Sequence, residues 1–365
     1  MRDVMSELAQ WWRAGQTVGV GTVVGTWKSS PRQPGASMVV GPDGSVVGSV
    51  SGGCVEGAVY ELAERARDTG VPVLQRYGIT DDDAFAVGLT CGGIIDVFVE
   101  QVGPDSFPEL GEIAQDVADG QPVAVATLID GAGERVGRRL VIRPDTTSGS
   151  LGSARLDDAV RDDARGLLVQ GRTDQLHYGP DGERRGDELT VFVASYAPQP
   201  RMIVFGAIDF AAAVARIGSF LGYRVTVCDA RATFATAKRF PEADEVVVEW
   251  PHRYLQNTTV DPRTVVCVTT HDWKFDVPLL ELALRMPLAY VGALGSRRTH
   301  EDRLAKLRER GLTEEELARL HSPIGLDVGA RTPEQTAVSI AAEIIQQQWG
   351  GTGLPLRELD VPIHH

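Results

Sequence analysis

The sequence predicts an α/β protein in two parts: an N-terminal mixed α+β domain over residues 1–198, a Rossmann-like doubly wound parallel sheet over 199–350, and a tail at 351–365. Three observations predict it. Short apolar runs separated by turn residues fill the first half. A strand–Gly–helix–strand rhythm fills the second, which is the pattern of a parallel sheet with crossover helices. Between them stands Ala197-Pro198-Gln199-Pro200, whose two prolines break regular strand pairing and suit a linker.

In the first half, residues 18–26 are apolar and β-branched and read as a strand, and 37–40 and 45–50 flank Gly41-Pro42-Asp43-Gly44 as a hairpin. Val55, Val59, Leu62 and Ala66 recur at helical spacing, predicting a helix over 54–68. A strand over 94–102, a helix, and a strand over 122–129 follow, then a helix over 154–169 and a hairpin around Gly179-Pro180-Asp181-Gly182. No repeat at solenoid periods is visible. In the second half, strands are expected at 202–205, 225–228, 245–249, 264–269 and 288–294, with a helix through Ala212, Val214, Ile217 and Leu221 after the first. Thr313 with Glu316, and Thr332-Pro333 with Gln335, read as capping boxes opening helices.

The chain has 36 Lys and Arg against 50 Asp and Glu, a net charge of −14, so nucleic acid and anionic membrane are poor partners. The N-terminus carries Asp3 and Glu7 and no apolar core of a signal peptide, and no apolar run approaches the ~18 residues of a membrane helix. Four cysteines in a chain of this size do not make a disulfide framework. The expectation is a reduced, cytoplasmic protein.

Two of those cysteines have unusual surroundings. Ser51-Gly52-Gly53-Cys54 sets a thiol after a glycine pair and at a helix start; Thr90-Cys91-Gly92-Gly93 sets another before a glycine pair and a strand. The positive end of a helix dipole stabilises a thiolate, and paired glycines let N–H groups form an anion-binding nest. A tight turn around a small buried residue would use the same letters. Cys228 and Cys267 lie inside apolar strands and are expected in the core. Glu56 reads equally as a polar pocket contact or as an acid matched to the dipole.

Ser30-Pro31-Arg32-Gln33-Pro34-Gly35-Ala36, Ser51-Gly52-Gly53-Cys54-Val55-Glu56-Gly57 and Gly88-Leu89-Thr90-Cys91-Gly92-Gly93 resemble the first domain of the xanthine dehydrogenase accessory factor (XdhC/CoxI) family. Gly292-Ala293-Leu294-Gly295-Ser296-Arg297-Arg298 and Gly325-Leu326-Asp327-Val328-Gly329-Ala330-Arg331-Thr332-Pro333 resemble its second domain. The resemblance implies a maturation factor that binds molybdenum cofactor (molybdopterin) transiently, between the two domains, assists its sulfuration, and inserts it into a molybdenum hydroxylase. It implies a cysteine desulfurase as sulfur donor and a homodimer. On this reading Cys54 and Cys91 contact the cofactor or relay sulfur, with Arg32, Gln33, Ser51, Gly52, Gly53, Gly92 and Gly93 shaping the pocket.

The second domain carries a damaged dinucleotide fingerprint. Gly206-Ala207 occupies the phosphate-loop position and Asp229 that of the ribose-binding acid, which fits NAD(P) or FAD. Ile208 then stands where a glycine lets backbone approach pyrophosphate, and Asp209 is expected as an N-cap competing with phosphate for the same N–H groups. Thr270 and His271 after one strand, and Ser296 and Arg297 at the start of a helix, lie where such sheets bind ligands. Two other classes stay open: an NAD(P)- or FAD-dependent oxidoreductase, and a non-catalytic adaptor between desulfurase and target enzyme. A xanthine dehydrogenase proper would need iron–sulfur cysteine sets that four scattered cysteines do not supply.

Overall fold

The structure, a computed structural model, describes residues 1–27, 32–78, 93–131 and 133–359. Its internal contacts divide the chain into two units, Met1–Pro198 and Gln199–Leu359.

The first unit runs α1 (Met5–Arg13), β1 (Val18–Trp27), β2 (Ser37–Val40), β3 (Val46–Gly48), α2 (Glu56–Thr69), β4 (Val73–Tyr77) and β5 (Ile94–Val102). It then runs through the same order again: α3 (Leu110–Ala118), β6 (Val123–Asp130), β7 (Arg139–Ile142), β8 (Thr147–Gly149), α4 (Ala154–Gln170), β9 (Asp174–Tyr178) and β10 (Leu189–Tyr196). The strand orders are β3-β2-β1-β5-β4 and β8-β7-β6-β10-β9, antiparallel throughout. The unit is therefore one αβββαββ module built twice.

The correspondence reaches single hydrogen bonds. Gly35 N–H donates to Val23 and Val23 N–H to the Ala36 carbonyl; Gly137 donates to Leu128 and Leu128 to Arg138. Gly35 and Gly137, Gly48 and Gly149, and Gly70 and Gly171 all hold positive φ. The repeat is hard to see in the sequence because the identities that the copies keep, such as Gly48 and Gly149, Val59 and Val160, and Tyr77 and Tyr178, are scattered among positions that differ.

Alternation along the strands makes the layers. Val18, Val20, Phe98 and Val102 of the first sheet meet Val123, Val125, Phe192 and Tyr196 of the second in one shared core. The opposite faces are covered separately, the first by α2 through Val59, Ala63 and Ala66, the second by α4 through Val160, Ala164 and Leu168. A Cβ on Gly19 would lie 2.2 Å from the Ala63 carbonyl oxygen, so that glycine lets α2 close on β1. Its counterpart in β6 is Ala124, also small and fully buried.

The second unit contains β11 (Arg201–Phe205), α5 (Asp209–Phe220), β12 (Arg224–Cys228), β13 (Glu245–Val247), α6 (Pro251–Asn257), β14 (Val265–Val268), α7 (Trp273–Ala283), β15 (Tyr290–Ala293), α8 (Arg297–Glu309), α9 (Glu314–Ala318), β16 (Leu320–His321) and α10 (Pro333–Trp349). The strands form one parallel sheet, β13-β12-β11-β14-β15-β16, whose order reverses between β11 and β14. Helices α5 and α10 cover one face, and α6, α7, α8 and α9 the other. This is the expected doubly wound fold; β16, only two residues long, gives no apolar run to read. Both capping boxes form, at Thr313 with Glu316 and at Thr332 with Gln335. No helix among the described residues is long and apolar enough to cross a membrane.

Candidate functional site

Between β3 and α2 the chain turns through Gly52 (φ +79°) and Gly53 (φ +118°). A Cβ on either would meet nothing within 4 Å, so these glycines answer to backbone conformation and not to crowding. Glu56, the first residue of α2, folds its carboxylate back over the turn. It accepts from the Ser49 hydroxyl (2.7 Å), the Ser51 hydroxyl (2.5 Å), and the backbone N–H groups of Ser51 (2.9 Å), Gly52 (3.0 Å), Gly53 (2.9 Å) and Val55 (3.2 Å).

This corrects one expectation. The glycine N–H groups do form an anion nest, but the anion is the chain's own Glu56, so Gly52 and Gly53 do not present those groups to a ligand phosphate. Burial pushes the Glu56 carboxyl up, but the hydrogen bonds from Ser51 and Ser49 outweigh it and hold the pKa down to about 2. Of the two sequence readings of Glu56, the one matched to the helix start is realised, with the side chain also organising the turn.

Cys54 sits on this locked turn, two residues before α2. Its N–H donates to the Ser51 hydroxyl (2.9 Å), and its side chain is half-buried against the core under α2. Cys91 and Gly92 lie outside the described residues; Gly93 is buried just before β5. The second module repeats the turn in reduced form. Asp157 accepts from the Ser150 hydroxyl and the Leu151 N–H, both at 2.7 Å, while Arg155 stands at the position of Cys54. There the β9–β10 turn presses on the helix start: a Cβ on Gly182 would lie 2.8 Å from Leu156 Cα and 3.0 Å from the Arg155 carbonyl oxygen.

Arg32 and Gln33 line a cleft of about 410 Å³ inside the first unit, with Thr173, Ser195 and Tyr196 of the second module on its other wall. Ser37 joins this loop to the cysteine turn: its hydroxyl donates to the Gly35 carbonyl (3.3 Å) and its carbonyl accepts from Ser49 N–H (3.1 Å). The hydroxyls of Ser195 and Tyr196 are buried without a partner among the described residues. Sequence reasoning missed these wall residues; only the undetected repeat would have placed them opposite Arg32. The related cleft on the other side, about 430 Å³, is lined by Glu100, Phe107, Arg138 and Arg139. There Arg139 pairs with Glu100, whose carboxyl burial pushes up, and lies over the Phe107 ring at 4.2 Å.

In the second unit the fingerprint residues meet at the carboxyl ends of β11, β12 and β14, but they bind one another. Asp229 accepts from Ala207 N–H (2.7 Å), Arg231 N–H (2.8 Å), Arg231 Nε (2.9 Å) and Arg231 Nη2 (2.7 Å). Its expected role as an open ribose acceptor is therefore corrected. Asp209 is not the N-cap. Ile208 holds that position with extended backbone, and Asp209 begins α5 and pairs with Arg239 at 3.3 Å. Gly206 (φ +110°) sits against Thr269 and Thr270. Thr270 is buried and donates to Asp276, which pairs with the fully buried Arg303 at 3.2 Å, so Thr270 serves the fold. His271 and Arg297 are exposed, and Ser296 caps α8 by accepting from Thr299 N–H (3.1 Å). Cys228 and Cys267 are buried as expected, and burial pushes both thiols up to about 12.

The family model described as "XdhC and CoxI family" matches residues 11–78 and 117–179, one stretch in each module, and that of the "XdhC Rossmann domain" matches 202–344. A probable xanthine dehydrogenase subunit of Bacillus subtilis (strain 168) is 27% identical over 328 residues, 89% of this chain and 91% of that one. The "Molybdenum cofactor insertion chaperone PaoD" of Escherichia coli (strain K12) is 27% identical over 323 residues, 88% of this chain and 81% of that one. A crystal structure described as a xanthine dehydrogenase from Bacillus halodurans superposes with a TM-score of 0.68 at 26% identity, covering 94% of this chain and 95% of that one.

Proposed function

The chain belongs to the XdhC and CoxI family, and on that premise we propose that it is a maturation factor carrying molybdenum cofactor as cargo to a molybdenum hydroxylase, with Cys54 and Cys91 at the metal end. The relationship that carries this reading is the one to an insertion chaperone, which runs through both units and not through a single shared domain. The client hydroxylase and a cysteine desulfurase are the partners it calls for.

Local structure supports the role of Cys54. Its turn is fixed by Glu56 before any ligand arrives, so the thiol is presented at no further ordering cost. Module symmetry supports the pairing with Cys91. In the second module the β9–β10 connection lies on the counterparts of Cys54 and Val55; in the first, the β4–β5 connection carries Cys91. Two such thiols have a use in sulfur transfer. A persulfide on one, attacked by the other as thiolate, releases hydrosulfide and leaves a disulfide, the two thiolates supplying the two electrons that reduce sulfane sulfur. Because Glu56 fills the glycine nest, the pterin phosphate is assigned to the Arg32–Gln33 cleft, where a guanidinium can bind an anion bidentately.

The test is purification from cells able to make the cofactor, followed by fluorescence assay of released, oxidised pterin. Stoichiometric pterin in the natural chain, and its loss in the Cys54→Ala, Cys91→Ala double variant, is the expected result. Pterin-free protein from competent cells overturns the reading.

A further inference from the structure

We infer that the nucleotide crevice of the second unit is sealed from within, and that this Rossmann fold takes neither NAD(P) nor FAD. The crevice concerned is the one outside β11 and β14, where the strand order reverses and where such folds place a dinucleotide. Two requirements of a dinucleotide fail there, and the loop that would have to move is held by its neighbours.

The first is the ribose acceptor. A carboxylate offers about four lone-pair sites, and Asp229 has all of them engaged, by Ala207 N–H and by three donors of Arg231. A ribose hydroxyl would have to evict a charge-assisted, two-pronged guanidinium that is built into the same chain two residues on. Arg231 is in turn held over the Phe234 ring at 4.7 Å, so it is not a loosely placed side chain.

The second is the phosphate loop. Pyrophosphate needs free N–H groups at the start of the helix after β11. Ala207 N–H is spent on Asp229, and the Ala207 carbonyl accepts from Arg239 at 3.1 Å, which fixes the peptide on its other side. Ile208 brings a β-branched side chain to the point of closest approach and packs it on the core beneath α5. Asp209 then adds a negative charge in the first turn, where the ligand would bring its own.

The loop itself is held in place. A Cβ on Gly206 would meet Thr269 Oγ1 at 2.8 Å and the Thr270 backbone nitrogen at 3.0 Å, so the β11 loop already touches the end of β14. Thr269 ties the two further: its one hydroxyl proton is shared between the carbonyls of Phe205 (2.9 Å) and Gly206 (3.1 Å).

Closure of this kind concerns residues 199–359 alone and stands whichever cargo the first unit carries. It is tested by calorimetric titration of the full chain with NAD, NADP and FAD, beside the variants Arg231→Ser, Ile208→Gly and their combination. Thermal melts of each variant confirm that it is folded. The natural chain is expected to show no saturation up to about 1 mM, and the combined variant to bind at least one of the three about tenfold tighter or better, as the acceptor and the loop are released. Micromolar binding by the natural chain overturns the inference. So does a folded combined variant that stays as silent as the natural chain, because the seal then does not lie in these side chains.

Discussion

Six donors converge on the Glu56 carboxylate, two hydroxyls and four backbone N–H groups. Replacing Glu56 by Gln turns one accepting oxygen into an NH₂ facing N–H donors, so several of these bonds are lost and not merely weakened. Glu56→Gln is expected to lower stability at pH 7 by about 1–3 kcal/mol, read from denaturant or thermal unfolding. The pH dependence has a definite sign. The folded carboxyl titrates near 2 and the ordinary value is 4.5, so its contribution is fully present above about 4.5 and is lost as the pH falls towards 2. The difference between natural chain and variant should close over that window; a difference independent of pH would remove Glu56's charge from the account. At this scale the Gly-Gly-Cys turn was legible because few residues adopt positive φ. Which acceptor would fill it was not, because Glu56 reaches back through a rotamer that sequence spacing does not reveal. Asp209 shows the converse: a good capping letter displaced by one position, since Ile208 takes the extended backbone of the cap.

Strands and helices were the most readable level, since alternation and helical spacing report burial directly. The strand predicted over 94–102 forms over those residues, and the helix predicted over 154–169 spans Ala154–Gln170. The two predicted hairpins pair, as β2–β3 and β9–β10; the pairing of strands distant in sequence was not readable, and neither was the doubling of the αβββαββ module. Among the positions that the two copies preserve are some that must be glycine. At Gly48 and Gly149 the backbone sits at φ +82° and +81°, and a Cβ would lie 2.2 and 2.5 Å from the carbonyl oxygens of Ser37 and Arg139. Gly48→Ala and Gly149→Ala should therefore each cost about 1–3 kcal/mol, by the same strain in two places more than a hundred residues apart in sequence. Thermal unfolding of the two variants side by side checks this. A neutral Gly149→Ala beside a damaging Gly48→Ala would mean that the second copy has relaxed the constraint.

For the molecule as a whole, the boundary in the sequence was carried by two prolines, and the contacts separate the chain at the same linker. Among the described residues, each unit has its own sheets and its own core clusters. A fragment of residues 199–359 is accordingly expected to fold alone, giving the far-ultraviolet dichroism of an α/β sheet and a cooperative melt. A fragment that is unfolded at 25 °C would show that it depends on the first unit. The duplicated half has a further meaning for the cleft between its modules. Had the two modules been separate polypeptides, their shared cleft would exist only above the dissociation constant of a dimer, and dilution would empty it. Covalent linkage makes the encounter intramolecular and frees one copy to drift into Arg155 while its twin keeps Cys54. The chain thus keeps one such cleft per polypeptide at any dilution.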